Sequence, residues 1–302
     1  MRRMWIIMGV AAVVVAMTGA AGASARATPA GRGGAVTAAG KLNIGAFDIN
    51  DHGEIVGTYW FGFFGTVSHG FVLRHGVFTT LNAPGSVHFT EAKGVNGAGD
   101  IVGDYVDARG NVHGFVLHDG RYTTLNVPGR GNQTTAYEIN AAGDIVGFYS
   151  GPGNGFHGFL LRDGTYTTFN DPLATGGTMA FGMNNAGDIV GAFWRNGHRY
   201  GFLRHDGAYT TLSVPGSAET DADSINTAGV IVGGYHDAGG HRRGFVLSHG
   251  RYHTFADPNG PGGTHTHGVN AAGDIVGSYK DASGITHGFL LQDGRYTTIN
   301  VP

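Results

Sequence analysis

Asp221 and Asp223 offer two carboxylates, His265 and His267 two imidazoles, and both pairs fall on the same step of a repeating sequence. Each pair is spaced i, i+2, which on an extended strand places both side chains on one face. Asp and His are ligands for Zn²⁺ or Mn²⁺, and the same groups can take up and return a proton as general base and acid. Asp221, Asp223, His265 and His267 are therefore the candidate set for a divalent metal, or for acid–imidazole catalysis.

The other repeats carry different residues at that step: Gly45/Phe47, Glu91/Lys93, Thr135/Tyr137 and Met179/Phe181. Variation inside an otherwise rigid motif is where ligand specificity would be written. Phe47, Glu91, Lys93, Tyr137, Phe181, Asp221, Asp223, His265 and His267 are accordingly expected to face a common channel and bind a ligand there. A second candidate group is aromatic. Trp60 and Trp194 stand at variable positions, with Phe61, Phe63 and Phe64 beside the first, and exposed aromatic rings suit stacking on sugars or insertion into a partner.

Other signals are weaker. His69, His113, His157 and His287 recur at one step, but Tyr200 and Arg243 replace them in two copies, and a charge at Arg243 is unsuited to a metal-binding ring. They are expected to start strands and to be satisfied by backbone or solvent. The segment from Gly153 to Gly158 matches GxGxxG but has no helix to receive a phosphate, and Asp48 to Gly53 begins like a calcium loop without its closing acid. No HExxH or GxSxG is present, and the absence of Cys excludes thiol chemistry.

These candidates need elements to hold them, and the repeat supplies them. An (I/V/M)-N step ends at Asn50, Asn96, Asn140, Asn184, Asn226 and Asn270, giving spacings of 46, 44, 44, 42 and 44. Each unit reads T-x-A-x-x-I-N, then I-V-G-x-Y, then G-F-V/L-L, then Y-T-T-L-N. Asp-Gly before the last (Asp119-Gly120, Asp163-Gly164, Asp206-Gly207, Asp293-Gly294) is a strong hairpin signal. Four short antiparallel strands repeated six times predict an all-β, six-bladed β-propeller over residues 41–302. The Pro-containing link returns the chain from the rim to the axis, so T-x-A-x-x-I-N is innermost and Y-T-T-L-N outermost. No strand is exchanged between the ends, so the ring closes by packing of blade 6 on blade 1.

Within this frame the repeated residues read as architecture. The repeated Asn suits an Asx-type turn, the Gly of I-V-G and G-F permit close approach of neighbouring blades, and Phe71, Phe115, Phe159, Phe202, Phe245 and Phe289 form the inter-blade core. Phe78, Tyr122, Tyr166, Tyr209, Tyr252 and Tyr296 are assigned to the same core.

On these residues the chain resembles the HAF repeats of exported bacterial proteins, which carry I-N-x-x-G-x-V-V-G followed by His-Ala-Phe. The matching positions are Ile139-Asn140 through Gly147, and His157-Gly158-Phe159, and the resemblance runs through all six copies. Gly stands where that family has Ala in every copy. The resemblance implies an extracellular repeat protein and brings no established activity with it.

The totals agree with an exported protein. Residues 1–25 have a charged start at Arg2 and Arg3, an apolar run from Trp5 to Met17 and a small-residue site at Ala23-Ser24-Ala25, the pattern of a cleaved signal peptide. Residues 26–40 are expected to form a flexible tail. Formal net charge is −3, without a basic stripe, which argues against nucleic acid and against an anionic membrane surface. No second apolar run follows, so no stable membrane span is expected after cleavage. The sequence thus predicts a secreted monomer, periplasmic or extracellular, that binds carbohydrate or a cell-surface protein. The alternative is a secreted hydrolase or lyase using the Asp–His group.

Overall fold

Asn50 shows how each repeat turns. Its Oδ1 accepts the backbone N–H groups of His52 and Glu54, and the N–H of Gly53 bonds back to its carbonyl. The chain therefore reverses after Ile49 and begins a second strand at Ile55. The same Asx turn recurs at Asn96, Asn140, Asn184 and Asn226.

The structure, a computed structural model, describes residues 42–61, 67–129, 133–151 and 155–301, all within the unit Gly40–Pro302. The expected signal peptide and tail, Phe63 and Phe64 lie outside the described residues. Blade 1 is β1 (Leu42–Ile49), β2 (Ile55–Phe61), β3 (Ser68–Arg74) and β4 (Val77–Leu81); blade 2 is β5 (Thr90–Val95), β6 (Ile101–Val106), β7 (Val112–His118) and β8 (Arg121–Leu125). Blade 3 is β9 (Thr134–Ile139), β10 (Ile145–Ser150), β11 (Phe156–Arg162) and β12 (Thr165–Phe169); blade 4 is β13 (Thr178–Met183), β14 (Ile189–Arg195), β15 (His198–His205) and β16 (Ala208–Leu212). Blade 5 is β17 (Glu219–Ile225), β18 (Ile231–His236), β19 (Arg242–Ser248) and β20 (Arg251–Phe255); blade 6 is β21 (Thr264–Val269), β22 (Ile275–Lys280), β23 (Thr286–Gln292) and β24 (Arg295–Ile299). Every blade is an antiparallel meander in chain order, and the six form a six-bladed β-propeller.

The first strand of each blade touches the first strands of both neighbours, which fixes it as innermost. No strand is shared between chain ends, because β1–β4 and β21–β24 are separate sheets. Closure rests on side chains instead. Asn270 Nδ2 reaches the carbonyl of Asn50, Ala271 N–H donates to Asp51 Oδ1, and Thr286 N–H donates to Asn43 Oδ1. The repeated Asn thus does more than cap a turn. Asn50, Asn96, Asn184, Asn226 and Asn270 each donate from Nδ2 to the carbonyl of the next blade's Asn. Between blades 3 and 4 the link is Ala141 N–H to Asn185 Oδ1.

Phe71, Phe115, Phe159, Phe202, Phe245 and Phe289 are fully buried between blades, as expected, and each contributes about 1.5–3 kcal/mol of apolar burial. Phe78, Tyr122, Tyr166, Tyr209, Tyr252 and Tyr296 are only half-buried; they cover the first set from the outermost strand. Asp119 and Gly120 have φ of 48° and 75°, the two left-handed residues of a type I′ hairpin. His75-Gly76 and His249-Gly250 adopt the same turn in blades 1 and 5.

One feature of every inner strand departs from simple alternation. The register with the second strand jumps at the same place in all six blades, leaving Phe47, Lys93, Tyr137, Phe181, Asp223 and His267 as the extra residue of a β-bulge. The Gly of I-V-G lies opposite this bulge. A Cβ on Gly57, Gly103, Gly147, Gly191, Gly233 or Gly277 would come within 1.9–2.2 Å of the carbonyl oxygen of Gly45, Glu91, Thr135, Met179, Asp221 or His265. That glycine therefore serves its own blade, a correction to the expectation that it faces a neighbour. The Gly of G-F does face the next blade: a Cβ on Gly70 would lie 3.2 Å from Ala92 N, and one on Gly201 3.3 Å from Ala222 N.

Candidate functional site

The bulge decides where the variable residues go. Alternation alone would keep both members of each pair on one face; the extra residue instead turns the second member separately. The second members meet at the axis. Lys93 Nζ lies 5.1 Å from the Phe47 ring and 4.8 Å from the Tyr137 ring. Tyr137 packs on Phe181 at 4.9 Å, and His267 on Phe47 at 5.0 Å. Lys93, Phe181 and Asp223 are buried, while Phe47, Tyr137 and His267 are half-buried, so these residues fill the axis.

The first members and their neighbours form a charged layer around them. Lys93 pairs with Glu91 at 2.5 Å and Asp104 at 3.5 Å. Burial works against the Lys93 ammonium, but Glu91, the neighbouring Tyr137 and Asp104 outweigh it and raise its pKa. Burial pushes Asp104 up to about 7 despite Lys93. Asp221 is held by Arg199 at 2.6 Å and Arg242 at 3.2 Å. Two guanidiniums occupy that carboxylate, which removes it from the expected metal set.

Asp223, His265 and His267 do come together. His265 Nε2 lies 2.8 Å from Asp223 Oδ2, and the two imidazole rings are 4.0 Å apart. Desolvation raises Asp223, with His267, Arg242 and Arg199 lowering it part of the way back. Burial first, then Arg242, holds His265 well below the ordinary imidazole range. His267 is held down by burial and then by His265. Both imidazoles are therefore neutral at neutral pH, and the cluster offers two nitrogens and a carboxylate to a ligand.

Blades 3 and 4 supply the opposite chemistry. Tyr137, Phe148, Phe156, Phe181 and Trp194 make a continuous aromatic wall: Tyr137–Phe148 at 5.9 Å, Phe148–Phe156 at 5.4 Å, Phe148–Phe181 at 6.3 Å and Phe156–Trp194 at 6.5 Å. Phe148, Phe156 and Trp194 are half-buried. Arg199 joins wall to charge, lying 4.9 Å over Trp194 and 5.8 Å over Phe181 while it pairs with Asp221. Trp60 is half-buried as well, its ring lying over Gly45, where blade 1 has no side chain of its own. Neither Trp is the freely exposed ring expected of it.

Phe148, Asp104, Arg199 and Arg242 were not among the sequence candidates, yet the first two had a signal. The residue after I-V-G varies as much as the inner strand does, and it is the cross-strand partner of that strand's first variable residue: Glu91 opposes Asp104, Thr135 opposes Phe148, and Asp221 opposes Gly234. Gly234 leaves room for its neighbours, since a Cβ there would lie 2.6 Å from the His265 ring.

The repeated histidines take no part. His69, His113 and His157 bond through Nδ1 to Asn82, Asn126 and Asn170, the Asn that follows the outermost strand, and lie against Tyr59, Tyr105 and Tyr149. His113 and His287 also bond Asp107 and Asp281. A side-chain partner thus holds at least one ring nitrogen of each, where backbone or solvent was expected. Two surface grooves of about 390 and 320 Å³ lie between blades 1 and 2, and neither is lined by a residue of the axial cluster.

No protein-family model matches the chain, and no curated protein matches it. Solved structures do. The AofleA protein of Arthrobotrys oligospora is 12% identical, with a TM-score of 0.58 over 86% of each chain. A fungal lectin, Aleuria aurantia lectin, described as a six-bladed β-propeller with a novel fucose recognition mode, is 12% identical with a TM-score of 0.53, over 86% of this chain and 95% of its own. The propeller domain of the Trilobed protease of Pyrococcus furiosus, described as having an open velcro topology, is 10% identical with a TM-score of 0.51, over 86% and 84%. At these identities the likeness is one of fold.

Proposed function

We propose that this protein is a carbohydrate-binding module whose ligand docks at the end of the axis where the variable residues meet. The observation that carries this reading is the aromatic wall of Tyr137, Phe148, Phe156 and Trp194 set against the Asp221–Asp223–His265–Arg242 group. A sugar presents an apolar ring face for stacking and a rim of hydroxyls for hydrogen bonds, and this end of the propeller offers both. Arg199 spans the two halves. The fold is one that a fungal lectin uses for fucose recognition, which supports the class of ligand without transferring any residue. An exported setting, periplasmic or extracellular, is supported by the leader-like composition of residues 1–25 and by the resemblance to HAF repeats.

A glycan array probed with the full chain tests this. Binding to at least one sugar class is expected, and Trp194→Ala or Phe156→Ala should weaken it about tenfold or more, the usual loss for a central aromatic anchor. A blank array, or binding untouched by either substitution, overturns the reading. Release of reducing ends from a bound oligosaccharide would move the function to the hydrolase alternative, with Asp223 and His265 as acid and base.

A further inference from the structure

Asp223, His265 and His267 offer one carboxylate oxygen and two imidazole nitrogens that all lie within 4.8 Å of one another. Asp223 and His267 are the bulge residues of adjacent inner strands, and His265 is the first variable residue of β21. A divalent transition ion with bonds of about 2.0–2.2 Å to N and O draws its ligands to about 3–4 Å of one another. The three atoms lie within 4.8 Å, so the side chains must draw together by about 1 Å to hold the ion.

His265 Nε2 lies 2.9 Å from Arg242 Nη2 and 2.8 Å from Asp223 Oδ2. A guanidinium only donates, so this nitrogen must present its lone pair. A lone pair facing a carboxylate oxygen at that distance is repulsive unless a proton or a metal ion bridges them.

We propose that Asp223, His265 and His267 bind one divalent transition ion, with at least one coordination position left for water or ligand. Two nitrogens and one carboxylate favour Zn²⁺, Co²⁺ or Ni²⁺ over Ca²⁺ and Mg²⁺, which prefer all-oxygen sites. Arg199 stays on Asp221, while Arg242, which also reaches His265 Nε2, gives up that contact when the ion takes the lone pair. The ion binds whether or not the sugar does, so this inference stands apart from the carbohydrate reading.

The test uses the full chain stripped with a chelator. Titration with Zn²⁺ by calorimetry is expected to show one tight equivalent, Co²⁺ to give a visible d–d band, and Zn²⁺ to raise the melting temperature. Asp223→Asn and His267→Gln should each weaken Zn²⁺ binding at least about tenfold. His75→Ala, at an exposed turn, should leave it unchanged. Equal Zn²⁺ affinity in wild type and in both site variants overturns the proposal. Should a variant not fold, the wild type decides alone: Zn²⁺ must shift the ring nitrogens of His265 and His267 by NMR, and their failure to move overturns it. A proton shared between Asp223 and His265 in place of the ion would show as no saturable Zn²⁺ heat.

Discussion

Asp48 stood out in the sequence only as the start of an incomplete calcium-like loop and Glu138 not at all, yet the fold buries Asp48 and half-buries Glu138. Desolvation pushes Asp48 up to about 7, while bonds from the Val95 and Ile49 N–H groups pull it down. Desolvation, and then Asp48, raises Glu138 well above the carboxylate range. The sign of the consequence follows from proton counting. An unfolded Asp releases its proton near 3.8, and the folded protein holds it to about 7, so the folded state binds more protons between those values. Stability from this group is greatest below the unfolded value, falls as pH rises through the window, and is level above it. Asp48→Asn cannot ionise and keeps an acceptor for Val95, so urea unfolding from about pH 4 to about pH 8 should show a shallower decline in the variant. A difference between wild type and variant that does not change with pH would remove the argument.

At the scale of the element, the innermost strand and its bulge are what the repeat conserves. The bulge brings one carbonyl of the inner strand almost against the second strand, and only a residue without Cβ fits there. Gly103→Ala would place a methyl 1.9 Å from the Glu91 carbonyl oxygen, with Phe115 at 2.9 Å behind it. Backbone cannot yield as a flexible side chain does, so this substitution should cost more than about 3 kcal/mol, read as a fall in the urea midpoint. A loss under about 1 kcal/mol would mean the bulge relaxes and is not rigidly held. The T-x-A-x-x-I-N and I-V-G-x-Y motifs gave both strands closely: Thr134–Asn140 was expected and β9 spans Thr134–Ile139. Ile145–Tyr149 was expected and β10 spans Ile145–Ser150. The bulge itself was not legible, because its signature is a glycine across the hairpin and not a residue of the bulged strand.

For the whole molecule, the seam between blades 6 and 1 differs from the other five junctions. Those are crossed by the covalent chain; the seam is held only by packing and by bonds such as Asn270 to Asn50 at 3.5 Å, Ala271 to Asp51 at 2.8 Å and Thr286 to Asn43 at 2.9 Å. With no exchanged strand, opening there breaks no backbone ladder. Hydrogen exchange at equilibrium should therefore show the amides of β1 and β21 exchanging faster than those of β9 and β13, through local opening at the seam. Uniform protection around the ring would mean that the seam is as strong as any other junction.

What the sequence determined by itself was the count and order of strands, the direction of each blade and the absence of an exchanged strand. Those follow from local chemistry: Asn turns, left-handed Asp-Gly pairs and β-branched runs act within a few residues of one another. It also singled out Lys93, Tyr137, Phe181, Asp223, His265 and His267, because variation in a rigid repeat marks the positions that the fold does not need. Tertiary structure alone decided which of these meet. Asp223 and His265 are 42 residues apart and touch only because adjacent inner strands converge. Asp221 left the metal set because Arg199 and Arg242, from the third strands of two different blades, reached it first. Such encounters depend on bulge geometry and on closure of the ring, and neither is encoded in any one repeat.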